Sequence, residues 1–352
     1  MKKYPKTLKH RIINKKRSKN RHFRTLIFKS KKKLKPKIRA LPPPKKSKYD
    51  DYFKIKTPIN FSIIENPCDI IEFIDQVELC LEKEVPIFID INESVMLGYD
   101  GILILLALLV KFKEGNVDFA GNFPKVHNLD KKFRESGFFH VLQTKNFDIS
   151  RLNKFQDEND NIITKAGYEV SSNDKTNIIK IISKNILGYE ANSDGLFNTI
   201  GEIMTNSNEH GSDGSGIEIT PWWVSINKNE INDCYNITFL DFGVGILKSL
   251  EKKPKDSLYK RAIEKINSDD KGKLESMFDY KKENTISSTG YSFRGNGIPS
   301  IKEMMEKNYY SNLNVITNKV KADISNNEYK SLNCNFSGTL ISFEVSKNNK
   351  FE

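Results

Sequence analysis

The first 49 residues contain no aspartate or glutamate; Asp50 is the first acid of the chain. The same span holds 21 lysines and arginines, so the formal net charge of +12 describes neither part of the molecule. Beyond residue 49, 36 basic residues stand against 45 acidic ones, a body at about −9. Such a density of like charge repels itself, so the arm is expected to be disordered alone or stretched along something anionic. Long apolar runs are missing too. The longest, "ILILLALLV" at 102–110, is about half of the ~20 residues that a bilayer helix needs. No apolar segment follows the basic N-terminus, which excludes a secretory signal there. Cysteine is scarce: Cys68, Cys80, Cys234 and Cys334 lie without metal or disulfide spacing. They are expected as reduced, mostly buried thiols of a cytoplasmic protein, with no membrane contact.

The 352 residues, 38% hydrophobic and 29% charged, leave room for two ordinary α/β domains plus extensions. Four segments are expected: a basic arm at 1–49, a small domain at 50–145, a polar linker at 146–172 and a second domain at 173–352. The arm carries Lys15, Lys16, Arg17, Arg21 and Arg24, then Lys31, Lys32 and Lys33, and ends in the spacer "LPPPKK". Phosphate backbones suit it, because neutralising them releases counterions and gives affinity without reading sequence. His22, Phe23 and Phe28 can stack on unpaired bases. RNA and DNA are equally compatible with this pattern. Contact with the acidic body, anionic lipid or a protein partner stays open.

From 57 to 145 the pattern becomes regular. Ile70, Ile71, Ile74, Val77 and Leu81 have helical spacing over 68–83, "VPIFIDIN" (85–92) reads as a buried strand, and 101–115 as a mostly buried helix. A strand at 116–122 and, over 125–142, an amphipathic helix running into a turn follow. This order, with "IFIDINESVMLGYDGILILLALL" and "LDKKFRESGFF", resembles the STAS domains of anti-sigma-factor antagonists. In that family a serine opening the long helix is phosphorylated. Here Tyr99 and Asp100 stand where the serines would fall. Asp100 is expected as a helix N-cap, or as a fixed mimic of the phosphorylated state. The resemblance implies an interaction module for a protein partner.

A helix over 194–210 would place Leu196, Ile200, Ile203 and Met204 on one stripe. Glu202, Asn206 and His210 then form a second line about 110° away, at the rim of the packed face. "YNITFLDFGVGI" (235–246) runs a strand into Asp241, Gly243 and Gly245, where missing Cβ atoms let backbone approach a ligand. "STGYSFRGNGIPSIKEMM" (288–305) leads Gly295 and Gly297 into a helix with Pro299 in its first turn. Such a junction presents free N–H groups to an anion. "SGTLISFEV" (337–345) opens a strand at Gly338-Thr339.

Glu-x-x-x-Asn, Asp-x-Gly-x-Gly, Gly-x-Gly and Gly-Thr, in that order over 173–347, resemble the GHKL ATP-binding fold. Gyrase, a heat-shock chaperone, histidine kinases and mismatch-repair ATPases share that α/β sandwich. The resemblance implies ATP and Mg²⁺ as cofactors, with Asn206 on the metal and Glu202 activating the attacking water or an acceptor hydroxyl. Asp241 would accept the adenine amino proton. Gly243, Gly245 and Ile246 would lie by base and ribose, Gly295, Asn296 and Gly297 under the triphosphate, and Thr339 near the adenine. His210 would stand at the edge of the phosphate site or cap its helix. Arg294 would neutralise γ-phosphate charge or be a plain surface arginine. Residues 247–293 are expected as a lid or an ordinary insertion. The expected function is a slow ATPase acting as a nucleotide-gated switch. A protein Ser/Thr kinase and a non-hydrolysing ATP-bound scaffold are the alternatives, and a homodimer is expected.

Overall fold

The computed structural model describes residues 49–143, 161–165, 172–210, 221–229, 233–252, 263, 269–280 and 297–352. The chain is mixed α/β. Its N-terminal part forms β1 (Phe53–Lys56), β2 (Asn60–Phe61), α1 (Pro67–Glu82), β3 (Ile87–Asp90), β4 (Met96–Leu97), α2 (Tyr99–Glu114) and β5 (Phe119–Gly121). Helices α3 (His127–Glu135) and α4 (Phe138–Gln143) close it. Strands β1, β3 and β5 make a parallel sheet with β3 in the centre, and β2 pairs β4 separately.

The C-terminal part contributes β6 (Asn161–Lys165), α5 (Ser172–Leu187), α6 (Asp194–His210), β7 (Trp223–Asn229), β8 (Cys234–Asp241), α7 (Ile246–Lys252) and α8 (Asp270–Phe278). Then come α9 (Gly297–Glu306), β9 (Ser311–Asp323) and β10 (Glu328–Ser346). Its five strands run antiparallel in the order β6-β7-β8-β10-β9.

Both faces of this second sheet are covered. Val224, Ile237, Phe239, Ile341 and Phe343 join a core with Ile178, Ile182, Leu196, Ile200 and Met204 of α5 and α6. Trp223, Leu240, Ile316, Phe336 and Leu340 point the other way, into one core with α1, α2 and the parallel sheet. That arrangement explains the nine-residue apolar run. Every residue from Asp100 to Val110 is buried, because α2 packs on all sides and has no solvent face to make polar. Among the described residues no helix is long and apolar enough to cross a membrane.

Several expectations need correction. Asp100 is not the N-cap of α2; Gly98 holds that position. The Asp100 carboxylate instead accepts from Ser62 Oγ at 2.8 Å and Ile64 N at 3.0 Å, partners nearly forty residues away. The segment 125–142 is two helices, α3 and α4, parted at Ser136 and at Gly137, whose φ is +84°. The stretch 146–172, expected as a linker, supplies edge strand β6, where Ile162, Ile163 and Thr164 give the β-branched content that pairs with β7. Within 247–293, α7 and α8 are core elements. Leu247, Leu250, Leu274, Met277 and Phe278 are buried, as is Ile263, and residues 253–262, 264–268 and 281–293 lie outside the described ones.

The four cysteines also divide. Cys80 and Cys234 are buried free thiols, and burial pushes both up to about 11. Cys68 at the start of α1 and Cys334 on β10 form a disulfide across the two parts of the chain, with a Cα–Cα distance of 5.5 Å. Their separation of 266 residues leaves no spacing signal in the sequence.

Candidate functional site

Strand β8 ends at Asp241, and the register places Thr339 of β10 directly beside it. The Asp241 side chain lies under α6, where Ser207 Oγ donates to Oδ2 at 2.9 Å. Gly243 N donates to Oδ1 at 2.9 Å, and the Thr339 backbone N–H adds a third bond. Burial nevertheless pushes the Asp241 pKa above the ordinary carboxyl value, the three donors opposing it. The group is thus a buried acceptor whose position is fixed from three elements.

Beyond Asp241 the chain turns through Gly243 and Gly245 into α7. Gly245 has φ +82°, and a Cβ there would meet the Asn318 amide at 2.6 Å. Asn318 and its neighbour Thr317, on β9, hold this turn. Thr317 Oγ1 accepts from Ile246 N at 2.9 Å, Asn318 Oδ1 accepts from Leu247 N at 3.0 Å, and Asn318 Nδ2 donates to Val244 O at 2.8 Å. The first N–H groups of α7 are therefore capped by another strand rather than left free.

Helix α6 reaches from Asp241 to the start of α9. Ser207 touches Asp241, while Glu202 and Asn206 face Gly297, the first residue of α9. A Cβ on Gly297 would stand 2.5 Å from Glu202 Oε2 and 3.5 Å from Asn206 Nδ2. Only glycine fits there without moving the carboxylate. Tyr310 fixes the two helices to each other: its hydroxyl donates to Ile301 O at 2.5 Å and accepts from Thr199 Oγ1 at 3.2 Å. Asn206 Nδ2 is buried with no hydrogen-bond partner among the described residues. A polar atom in that condition costs free energy unless water or a ligand satisfies it.

A cation also approaches this edge. The Lys175 ammonium of α5 lies 3.8 Å over the Phe197 ring and 3.1 Å from where a Gly201 Cβ would be. Burial lowers its pKa, and the Glu202 charge opposes that shift.

The structure thus brings Glu202, Asn206 and Gly297 together, and separately Asp241, Gly243 and Thr339, with Ser207 of α6 between the groups. Gly245 and Ile246 line the turn that follows. The His210 side chain, Arg294, Gly295, Asn296 and the arm with Lys15 to Lys33 lie outside the described residues. Ser207, Thr317, Asn318, Tyr310 and Lys175 escaped the sequence reading. Ser207 follows Asn206 directly, which is a usable signal; Thr317 and Asn318 sit mid-strand with none. Among the described residues no three His, Cys, Asp or Glu side chains form a metal-holding group. No family model matches this chain, and no curated protein matches it.

Proposed function

We propose that the protein binds ATP with Mg²⁺ where the end of β8, the middle of α6 and the start of α9 meet, and hydrolyses it slowly as a switch. On this reading the C-terminal part is a GHKL-type ATPase. The observation that carries it is the continuity of the site along α6. One helix presses Ser207 onto a buried carboxylate and presents Glu202 and Asn206 to a helix start where a Cβ would displace the Glu202 carboxylate.

Asp241, an acceptor enclosed by three donors, suits the exocyclic amine of adenine. Asn206 would hold Mg²⁺ through its amide oxygen, and its orphaned Nδ2 fits a ligand-completed environment. With no acidic cluster among the described residues, phosphate oxygens and water would fill the rest of the metal shell. Bound Mg²⁺ would neutralise phosphate charge. Glu202 would orient and deprotonate the attacking water, and the N–H groups opening α9 would face the phosphates.

The N-terminal part, with three parallel strands and helices α1 and α2, supports a STAS-like interaction module for a protein partner. The basic arm is assigned to nucleic acid, and removal of residues 1–49 should abolish salt-dependent binding to it. Light scattering of the full chain tests the expected homodimer.

The deciding experiment follows ATP with Mg²⁺ in the wild type and in Glu202→Ala, measuring bound ATP, ADP and phosphate together. ADP from the wild type with intact ATP retained by the variant is the expected result. Label transferred to a protein would replace the switch with a kinase, and intact ATP on both would leave a scaffold. No binding by either would overturn the nucleotide reading.

A further inference from the structure

Asp241 and Phe242 are consecutive and serve opposite faces of the sheet. The carboxylate lies under α6, whereas the Phe242 ring packs against the core of the N-terminal part. There the Lys111 ammonium of α2 stands 3.9 Å over the ring, and Phe336 of β10 meets it edge-on at 6.2 Å. Lys111 is itself held at 2.7 Å by Glu78 of α1, in a half-buried pair. The ring is therefore enclosed by a cation that two N-terminal helices fix and by an aromatic neighbour on the sheet.

The next residue is Gly243, whose N–H donates to Asp241 Oδ1. One peptide bond separates the Phe242 backbone from that donor, and glycine on the far side adds no restraint of its own. Holding the Phe242 ring restricts the backbone of that residue, whose ψ sets the direction of the Gly243 N–H.

We infer that Lys111 is a positioning residue for the nucleotide site, acting through Phe242 on the Gly243 N–H that orients Asp241. The inference builds on the ATP reading above, yet its geometric half stands without it. A helix-stabilising role offers the competing account, since a cation in the last turn of α2 is favourable there by charge alone. Lys113 supplies the control. It lies in the same last turn, but its ammonium donates to Leu142 O at 2.8 Å.

The test is amide hydrogen exchange of the full chain without nucleotide, on peptides spanning 241–246. A partly desolvated cation–π contact is worth roughly 1 kcal/mol, so Lys111→Met should speed exchange there about five-fold. Lys111→Arg should restore protection, because a guanidinium stacks and pairs in the same place. Lys113→Met should leave these amides unchanged. ATP affinity should fall about five-fold in Lys111→Met and in Phe242→Leu, with the double variant no weaker than either single one. Unchanged exchange in Lys111→Met, or an equal change in Lys113→Met, would overturn the inference. Faster exchange in Lys111→Met in a protein that binds no ATP would uphold the positioning role while removing the nucleotide reading.

Discussion

Leu340 and Ile341 are neighbours on β10 and point in opposite directions. Leu340 enters the core shared with α1 and α2, and Ile341 enters the core beneath α5 and α6. Both are buried, and each face of the sheet excludes water equally well. The faces differ in what polar chemistry they admit. Beneath α6 the sheet ends in a buried carboxylate, an amide without a hydrogen-bond partner among the described residues, and a helix start packed against Glu202. On the N-terminal face the charged groups at the sheet are paired or stacked: Lys111 with Glu78 and Phe242, and Lys321 with Ile64 O. The polar groups at the sheet's end thus gather beneath α6, while the other face is packed against α1, α2 and the parallel sheet.

If the two faces form one cooperative unit, Leu340→Ala and Ile341→Ala should cost about the same, roughly 2–5 kcal/mol each. Urea unfolding followed by far-UV and tryptophan signals checks this, and both probes should report one shared transition. A transition confined to the N-terminal part in Leu340→Ala would separate the faces. The Cys68–Cys334 bond sharpens the same comparison, because it ties α1 to β10 over 266 residues. Cys68→Ser should lose about 2–4 kcal/mol, with dithiothreitol removing a similar amount from the wild type and none from the variant.

What the sequence made legible follows the same division. Local periodicity was enough for α1 and α6, since Ile70, Ile74 and Val77, or Leu196, Ile200 and Ile203, mark a face whatever lies opposite. The residues meeting at Gly297 were readable because Glu202 and Asn206 share a helix and glycine marks its start. What stayed hidden depends on long-range pairing. Asp100 turns to Ser62, Cys68 joins Cys334, and Thr317 and Asn318 reach the turn after Asp241 from a strand about seventy residues on. The short strand Asn161–Lys165 was hidden differently, its two isoleucines lying inside a polar stretch. The covering of the sheet by α2 also lay beyond the pattern: "ILILLALLV" announces a helix buried all round, without saying which surfaces bury it.

Asp241→Asn probes the face beneath α6 alone. It keeps the side chain's shape but replaces an anionic acceptor, so ATP affinity should fall ten- to hundred-fold, the range for a hydrogen bond to a charged group. Stability should move the other way with pH. Burial raises this carboxyl above its ordinary 3.8, so the folded state holds the proton more tightly than the unfolded chain. The stability linked to it is complete below 3.8 and is lost as pH rises through the raised folded value. The variant carries no such group. Urea midpoints from pH 4 to 8 should therefore shift in favour of Asp241→Asn as pH rises, and parallel curves would show that Asp241 is ionised without cost.

The smallest expected changes in stability come from two glycines on either side of Glu202. A Cβ on Gly297 would strike only the end of the Glu202 side chain, and one on Gly201 only the end of Lys175. Flexible side chains can move aside, and alanine favours helix over glycine by up to about 1 kcal/mol. Both Gly297→Ala and Gly201→Ala should hold or slightly raise the thermal midpoint. Their effects on chemistry should differ. Gly297→Ala pushes the carboxylate away from the start of α9, so hydrolysis should fall by more than ten-fold while ATP binding through Asp241 persists. Gly201→Ala displaces an ammonium that acts on Glu202 through charge rather than through the fit at Gly297, so the rate should change only a few-fold. Equal losses of rate in both would place the decisive constraint on Lys175 rather than on the fit of Glu202 against Gly297.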